Sequence, residues 1–308
     1  MAEGLPAARV PAAVVLVNLG LAGIVGAWAS AWWLRGSGSP WGTRAGRQSG
    51  SALRLAAALT AAADALLLWM QAADMGEVPL TETLSTLPTM LTQTYAGRAW
   101  AGGALGLLVV LAATWSRSRA RFAAVAMGAS LFVYCRAAVS HAGEFGWLSL
   151  ERAIEFTHLG ADGLWLGGVG IAAWVLATPS GLRADDRADA AAWIESLSAC
   201  ATAALAVVVA SGLFNAWRGL GSVSRLLGND YGETLLVKLA LVCVAVGLGG
   251  FNRFVAMPKW LTALRDPRGA PARWQSLFVR VLRIEAFFLF AALVAAAVLS
   301  GSPLPDTR

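Results

Sequence analysis

Histidine is almost missing from this chain, two residues in 308, and cysteine and tyrosine are nearly as scarce at three each. Charged residues make up 14% of the sequence, where a soluble domain carries about 25%. The cysteines, Cys135, Cys200 and Cys243, fall in separate apolar segments without CxxC spacing, which argues against a disulfide framework and a zinc site and leaves buried free thiols. The chain has no phosphate-cradling GxxxxGK[ST], no nucleophile elbow and no HExxH. Ser140 beside His141 is a poor nucleophile and base, because adjacent side chains rarely face each other and no carboxylate is placed to orient the imidazole. The expectation is a protein that is not an enzyme.

What fills the chain instead is apolar: 57% of the residues are hydrophobic, and runs of about 17–25 such residues recur from end to end with charge confined to the gaps. No strand pattern competes with helix. The sequence predicts an all-α, polytopic membrane protein, residues 1–308 forming one integral-membrane domain. Eight transmembrane helices are expected at about 11–34, 52–73, 97–115, 121–139, 153–177, 191–217, 233–252 and 282–300. The first is too long for a signal-peptide core of about 7–15 residues and reads as a retained span.

The net charge of +6 does not point to nucleic acid, because the basic residues sit in short loops beside apolar spans. They report orientation. The first, third, fifth and seventh loops hold fifteen Lys and Arg residues, whereas the termini and even loops hold seven. The basic side is the cytoplasmic one, so both termini are expected to be periplasmic. The second loop, with prolines at 79 and 88, is expected to form a short interfacial helix or a cap, and the long seventh loop a short amphipathic connector.

Both histidines lie at one outward bend, His141 leaving the fourth span and His158 about a turn inside the fifth. Imidazole suits copper, zinc, nickel and haem iron, so the pair is a candidate metal site; the plainer alternative is two interfacial histidines satisfied by backbone carbonyls. Glu155, three residues before His158 and on the same helix face, is a further candidate ligand. Glu144, Cys135, Met70, Met75 and Met90 are on or near the same side. Deeper in the spans lie Asp64, Asp162 and Lys238, with Asn18, Ser211 and Asn215 at comparable depth. Intramembrane charges are expensive and either pair or line a polar cavity, so these residues read either as a polar path inward or as a lysine–aspartate pair gluing helices. Arg253 and Glu285 read as a structural ion pair at the cytoplasmic end, and glycines at 163, 167, 168, 170, 247, 249 and 250 as close-packing positions.

The run SHAGEFG followed by EFTHLGADGLWLGG resembles the paired motif of the copper resistance protein D (CopD) family, a GHA-like element and then a histidine seven residues before Trp-x-Gly-Gly. The segments SGLFNAW, YGETLLVKLALV, FNRFVAMP and RIEAFFLFAALVAAAVLSGSPLP are similar in order and spacing to the family's later helices, so that residues 135–305 carry the resemblance. Ser140 stands where the family more often has glycine, and residues 1–130 match only as apolar helices. The resemblance implies a multi-pass protein of the bacterial inner membrane, surrounded by lipid, that moves copper from periplasm to cytoplasm beside a periplasmic CopC-type partner. No CopC-like domain is expected ahead of the first span. Carried over, it makes His141 and His158 copper ligands, Asp162 and Lys238 part of a path, and Arg253 with Glu285 a structural pair. Two other functions stay open: a copper-binding protein that delivers metal to cuproenzymes without transporting it, and a haem-binding electron carrier using both histidines as axial ligands.

Overall fold

The computed structural model describes residues 9–140, 147–177, 182–266 and 271–302. All regular structure among them is helical. The chain runs through α1 (Arg9–Trp33), α2 (Pro40–Gly76), α3 (Leu87–Gln93), α4 (Tyr95–Trp115), α5 (Arg121–Ala138), α6 (Leu150–Val175), α7 (Ala184–Leu220), α8 (Asp230–Phe251), α9 (Met257–Arg265) and α10 (Pro271–Ser300). A π-helical turn, Asn252–Ala256, joins α8 to α9. Each of the eight expected spans falls within one of these helices or overruns its C-terminal end by one or two residues.

Six of them, α1, α2, α4, α7, α8 with its extension, and α10, are long and apolar enough to cross a membrane. The other two fall short for identifiable reasons. α5 has 18 residues and carries Arg121 and Arg136, and the first half of α6 carries Glu151, Arg152, Glu155, His158 and Asp162. α2 and α7 contain 37 residues each, about 55 Å at 1.5 Å per residue, against a hydrocarbon core of about 30 Å. Their arginine- and aspartate-bearing N-terminal ends extend beyond the apolar stretch.

Sequence chemistry sets the helix ends. Ser39, Thr94, Ser149 and Asn229 each accept a backbone N–H at the start of α2, α4, α6 and α8, satisfying donors that helix geometry leaves open. Where α2 begins and α7 begins, Trp41 N–H donates to Asp186 and Ser37 to Asp189, which ties the α1–α2 connection to α7. At the other end, the segment after α2 forms a turn at Thr83–Ser85 and then α3, with Thr83 and Met90 buried and Trp69 donating to the Leu80 carbonyl. The second loop therefore caps α2 and α4. The seventh loop contains α9, whose Trp260, Leu261 and Leu264 turn inward, as an amphipathic connector should.

α1 is central. One core joins it to α2, α4 and α5 through Val17, Ile24, Leu67, Val110 and Phe132, and a second is built on α6, α7, α9 and α10 around Trp165, Trp193 and Trp260. Where α1 crosses α6 the backbones touch: a Cβ on Gly167 would lie 1.8 Å from the Ala22 carbonyl oxygen. Gly247 and Gly250, read from sequence as packing positions, face open space. α8 packs chiefly on α10 and leaves Val237, Leu239 and Val244 exposed, as α7 leaves Val209, Leu213 and Trp217. Contiguous exposed apolar surface of this extent is what lipid covers.

Candidate functional site

α6 carries Glu151, Glu155, His158 and Asp162 at spacings of four, three and four, which places them in one strip along the helix. α7 runs antiparallel beside it and presents Arg218, Asn215 and Ser211 at the complementary spacing. Three rungs join the helices in order: Arg218 to Glu151 at 2.5 Å, Asn215 Nδ2 to Glu155 Oε2 at 2.8 Å, and His158 Nδ1 to Ser211 Oγ at 2.9 Å. Gly212 leaves room for the imidazole, since a Cβ there would sit 3.2 Å from His158 Cε1.

The strip continues inward to Asp162 and is completed from α8. Lys238 acts electrostatically on both His158 and Asp162, and Tyr231 lies near Glu155, its hydroxyl packed over Gly219 of α7. Tyr231 and Lys238 are seven residues apart and so share a face of α8. No hydrogen bond or ion pair within 4.0 Å joins Lys238 to either aspartate among the described residues. The arrangement is a polar seam between three helices rather than a closed pair, and it brings Glu155, His158, Asp162, Asn215 and Lys238 together.

His141 lies outside the described residues, as does Glu144. Among those described, no group of three or more His, Cys, Asp or Glu side chains is arranged to hold a metal ion. His158 and Glu155 supply one nitrogen and one oxygen donor a turn apart, and Cys135 belongs elsewhere.

Asp64 joins a different cluster. It is 5% exposed on α2 and lines a small cavity, with room for little more than one water, together with Trp100, Cys135 and Arg136 of α4 and α5. Arg136 lies with its guanidinium 5.5 Å from the Trp100 ring. The charges of Asp64 and Arg136 act on one another, yet Asp64 Oδ1 and Arg136 Nε find no hydrogen-bond partner there. Asp64 thus belongs to a cluster with α4 and α5, apart from the seam that holds Lys238.

The ion pair expected between Arg253 and Glu285 is not formed. Arg253 instead donates to the carbonyl and hydroxyl of Ser198, at 3.0 and 2.6 Å. Glu285, 3% exposed, accepts the indole N–H of Trp165 at 3.0 Å and lies against Gly249. The physical reason is direction around the helix: Glu285 points into the α6–α10 contact, whereas Arg253, on the π-helical turn, reaches α7.

Two arginines counted with the even-loop charges are also interior. Besides Arg136, Arg152 is fully buried, with the rings of Tyr95, Tyr134 and Trp147 at 4.8–5.4 Å from its guanidinium. It donates to the Tyr95 hydroxyl and the Trp147 carbonyl, which also accepts from Tyr134. The signal was present in composition, since two of only three tyrosines serve this one side chain.

Comparison with known proteins agrees with the helical architecture and the motifs. Residues 191–299 match the family described as copper resistance protein D, and residues 5–150 match the copper resistance protein D-like N-terminal domain. The likeness therefore extends through the first helices, where no motif had been legible. The copper transport protein CutJ of Bacillus subtilis (strain 168) is 26% identical over 222 residues, covering 70% of this chain and 38% of that protein. The chain thus spans well under half the length of that relative. No solved structure matches. A helical membrane protein with these motifs, matched by the two family models over residues 5–150 and 191–299, belongs to the copper resistance protein D family.

Proposed function

We propose that the protein carries copper across the bacterial inner membrane from periplasm to cytoplasm, as a non-enzymatic permease. Copper is captured by His141, His158 and Glu155, and passes inward along Asn215, Asp162 and Lys238. The observation that carries the reading is the seam itself: a histidine and three acids on one strip of α6, faced by polar side chains of α7 and α8. Polar groups at such depth are retained for function or for pairing, and Lys238 and Asp162 lack the direct contact that pairing would give. The name of the CutJ protein supports copper as cargo.

In this reading α5 and α6 complete a bundle of eight spans, both termini are periplasmic, and the basic connections face the cytoplasm. A periplasmic CopC-type protein is the natural donor to the outward end. Copper accumulation by proteoliposomes tests the proposal. The wild type accumulates copper, and His158→Ala or His141→Ala abolishes most of the uptake. Binding without accumulation would replace transport by delivery to cuproenzymes, and a Soret band in the purified protein would replace copper by haem.

A further inference from the structure

The His158–Ser211 contact specifies more than proximity. Ser211 Oγ lies 2.5 Å from the Val207 carbonyl oxygen and 2.9 Å from His158 Nδ1. A hydroxyl has one proton. Two oxygens at 2.5 Å with no hydrogen between them would repel, so that proton belongs to the Val207 carbonyl, the back-bonding that serine adopts within helices. Ser211 therefore faces the imidazole with a lone pair, and Nδ1 must carry the hydrogen that fills the 2.9 Å contact. The Val208 carbonyl, which can only accept, also lies near the ring.

We infer that Ser211 is a positioning residue for copper: by holding the proton of neutral His158 on Nδ1, it leaves Nε2 as the free, metal-binding nitrogen of the seam. The inference rests on the copper-binding reading above and adds the ligating atom and the residue that selects it. A ligating imidazole ordinarily has its other nitrogen fixed by a hydrogen bond to an oxygen acceptor, which settles tautomer and ring orientation together. Gly212 fits the same role, because any larger residue would press on Cε1, the ring carbon between the two nitrogens. The chain's own geometry thus prepares one nitrogen before metal arrives.

With only two histidines, the test is spectroscopically clean. Protein labelled with ¹⁵N-histidine is purified metal-free in detergent above the ordinary imidazole pKa of about 6.5. Long-range ¹H–¹⁵N correlation then reads the tautomer, and loss of signals in His141→Ala assigns the rest to His158. The wild type shows hydrogen on Nδ1 and a pyridine-like Nε2. Ser211→Ala shifts the ring toward the Nε2–H form and weakens copper(I) binding, measured against a chromophoric chelator, by about tenfold or more. Ser211→Thr, which keeps the hydroxyl and its back-bond, restores both readouts. Hydrogen on Nε2 in the wild type overturns the inference, as does a Ser211→Ala variant that changes tautomer and binds copper within twofold of wild type. A wild type with hydrogen on Nδ1 that binds no copper overturns the copper reading itself, and the two failures are told apart by the spectrum.

Discussion

Asn215 of α7 donates from Nδ2 to Oε2 of Glu155 on α6 at 2.8 Å, so the side chain one turn from His158 is held in place by an uncharged donor of the facing helix. Glu155→Gln preserves an acceptor for Asn215 but removes the carboxylate. If the carboxylate is a copper ligand, affinity falls about tenfold or more while helix pairing survives, since loss of a ligand or of its supporting shell costs on the order of 10–100-fold. Chelator competition and a thermal melt on the same sample separate the two effects.

Gly212 and Gly247 make a matched pair of positions. A methyl group on Gly212 would stand 3.2 Å from His158 Cε1, and one on Gly247 would meet nothing within 4 Å. Gly212→Ala is expected to push the ring off its Ser211 contact and weaken copper binding about tenfold. Gly247→Ala should leave binding alone and stabilise the helix by about 0.5–1 kcal/mol through the lower backbone entropy of the unfolded chain. Equal effects at the two sites in melting and binding assays would remove Gly212 from the site.

The helices were legible because hydrophobic runs of spanning length leave little else for the backbone to do, and the α6 strip because spacings of three and four fix a helix face. Direction around the bundle was not legible. Asp64 and Lys238 sit at similar depth in sequence, yet Asp64 faces Trp100 and Arg136 while Lys238 acts on His158 and Asp162, and nothing in either run states that α2 faces α4 and α5. Glu285 and Arg253 were matched by height alone, and the indole of Trp165 took the carboxylate because α6 and α10 touch there. Arg136 and Arg152 looked like loop charges because the aromatic rings that shelter them come from distant helices.

Asp64 and Arg136 face a shared cavity with unfilled hydrogen-bonding atoms, so removing either charge alone strands the other in an apolar setting. Arg136→Leu or Asp64→Leu is expected to lower stability in detergent by on the order of 3 kcal/mol. The double substitution should recover most of that loss, because no uncompensated charge is left. Additive losses in the double variant would mean that the two side chains act independently.

The contact of Trp165 with Glu285 makes a sharper distinction, because it competes with the ion pair that chain position suggests for Glu285 and Arg253. Trp165→Phe keeps the aromatic bulk but leaves a buried carboxylate without its indole donor, at a cost of about 1–3 kcal/mol. Glu285→Gln keeps an acceptor for the indole and should cost less. A double-mutant cycle between positions 165 and 285 is expected to give a coupling of about 1 kcal/mol, whereas the cycle between 253 and 285 should fall within about 0.5 kcal/mol of zero, the scatter of uncoupled sites. Arg253 instead should couple to Ser198, whose hydroxyl it binds at 2.6 Å. A strong 253–285 coupling measured by denaturation would restore the ion pair and contradict the observed partners, in which Arg253 turns to Ser198 of α7 and Glu285 to Trp165 of α6.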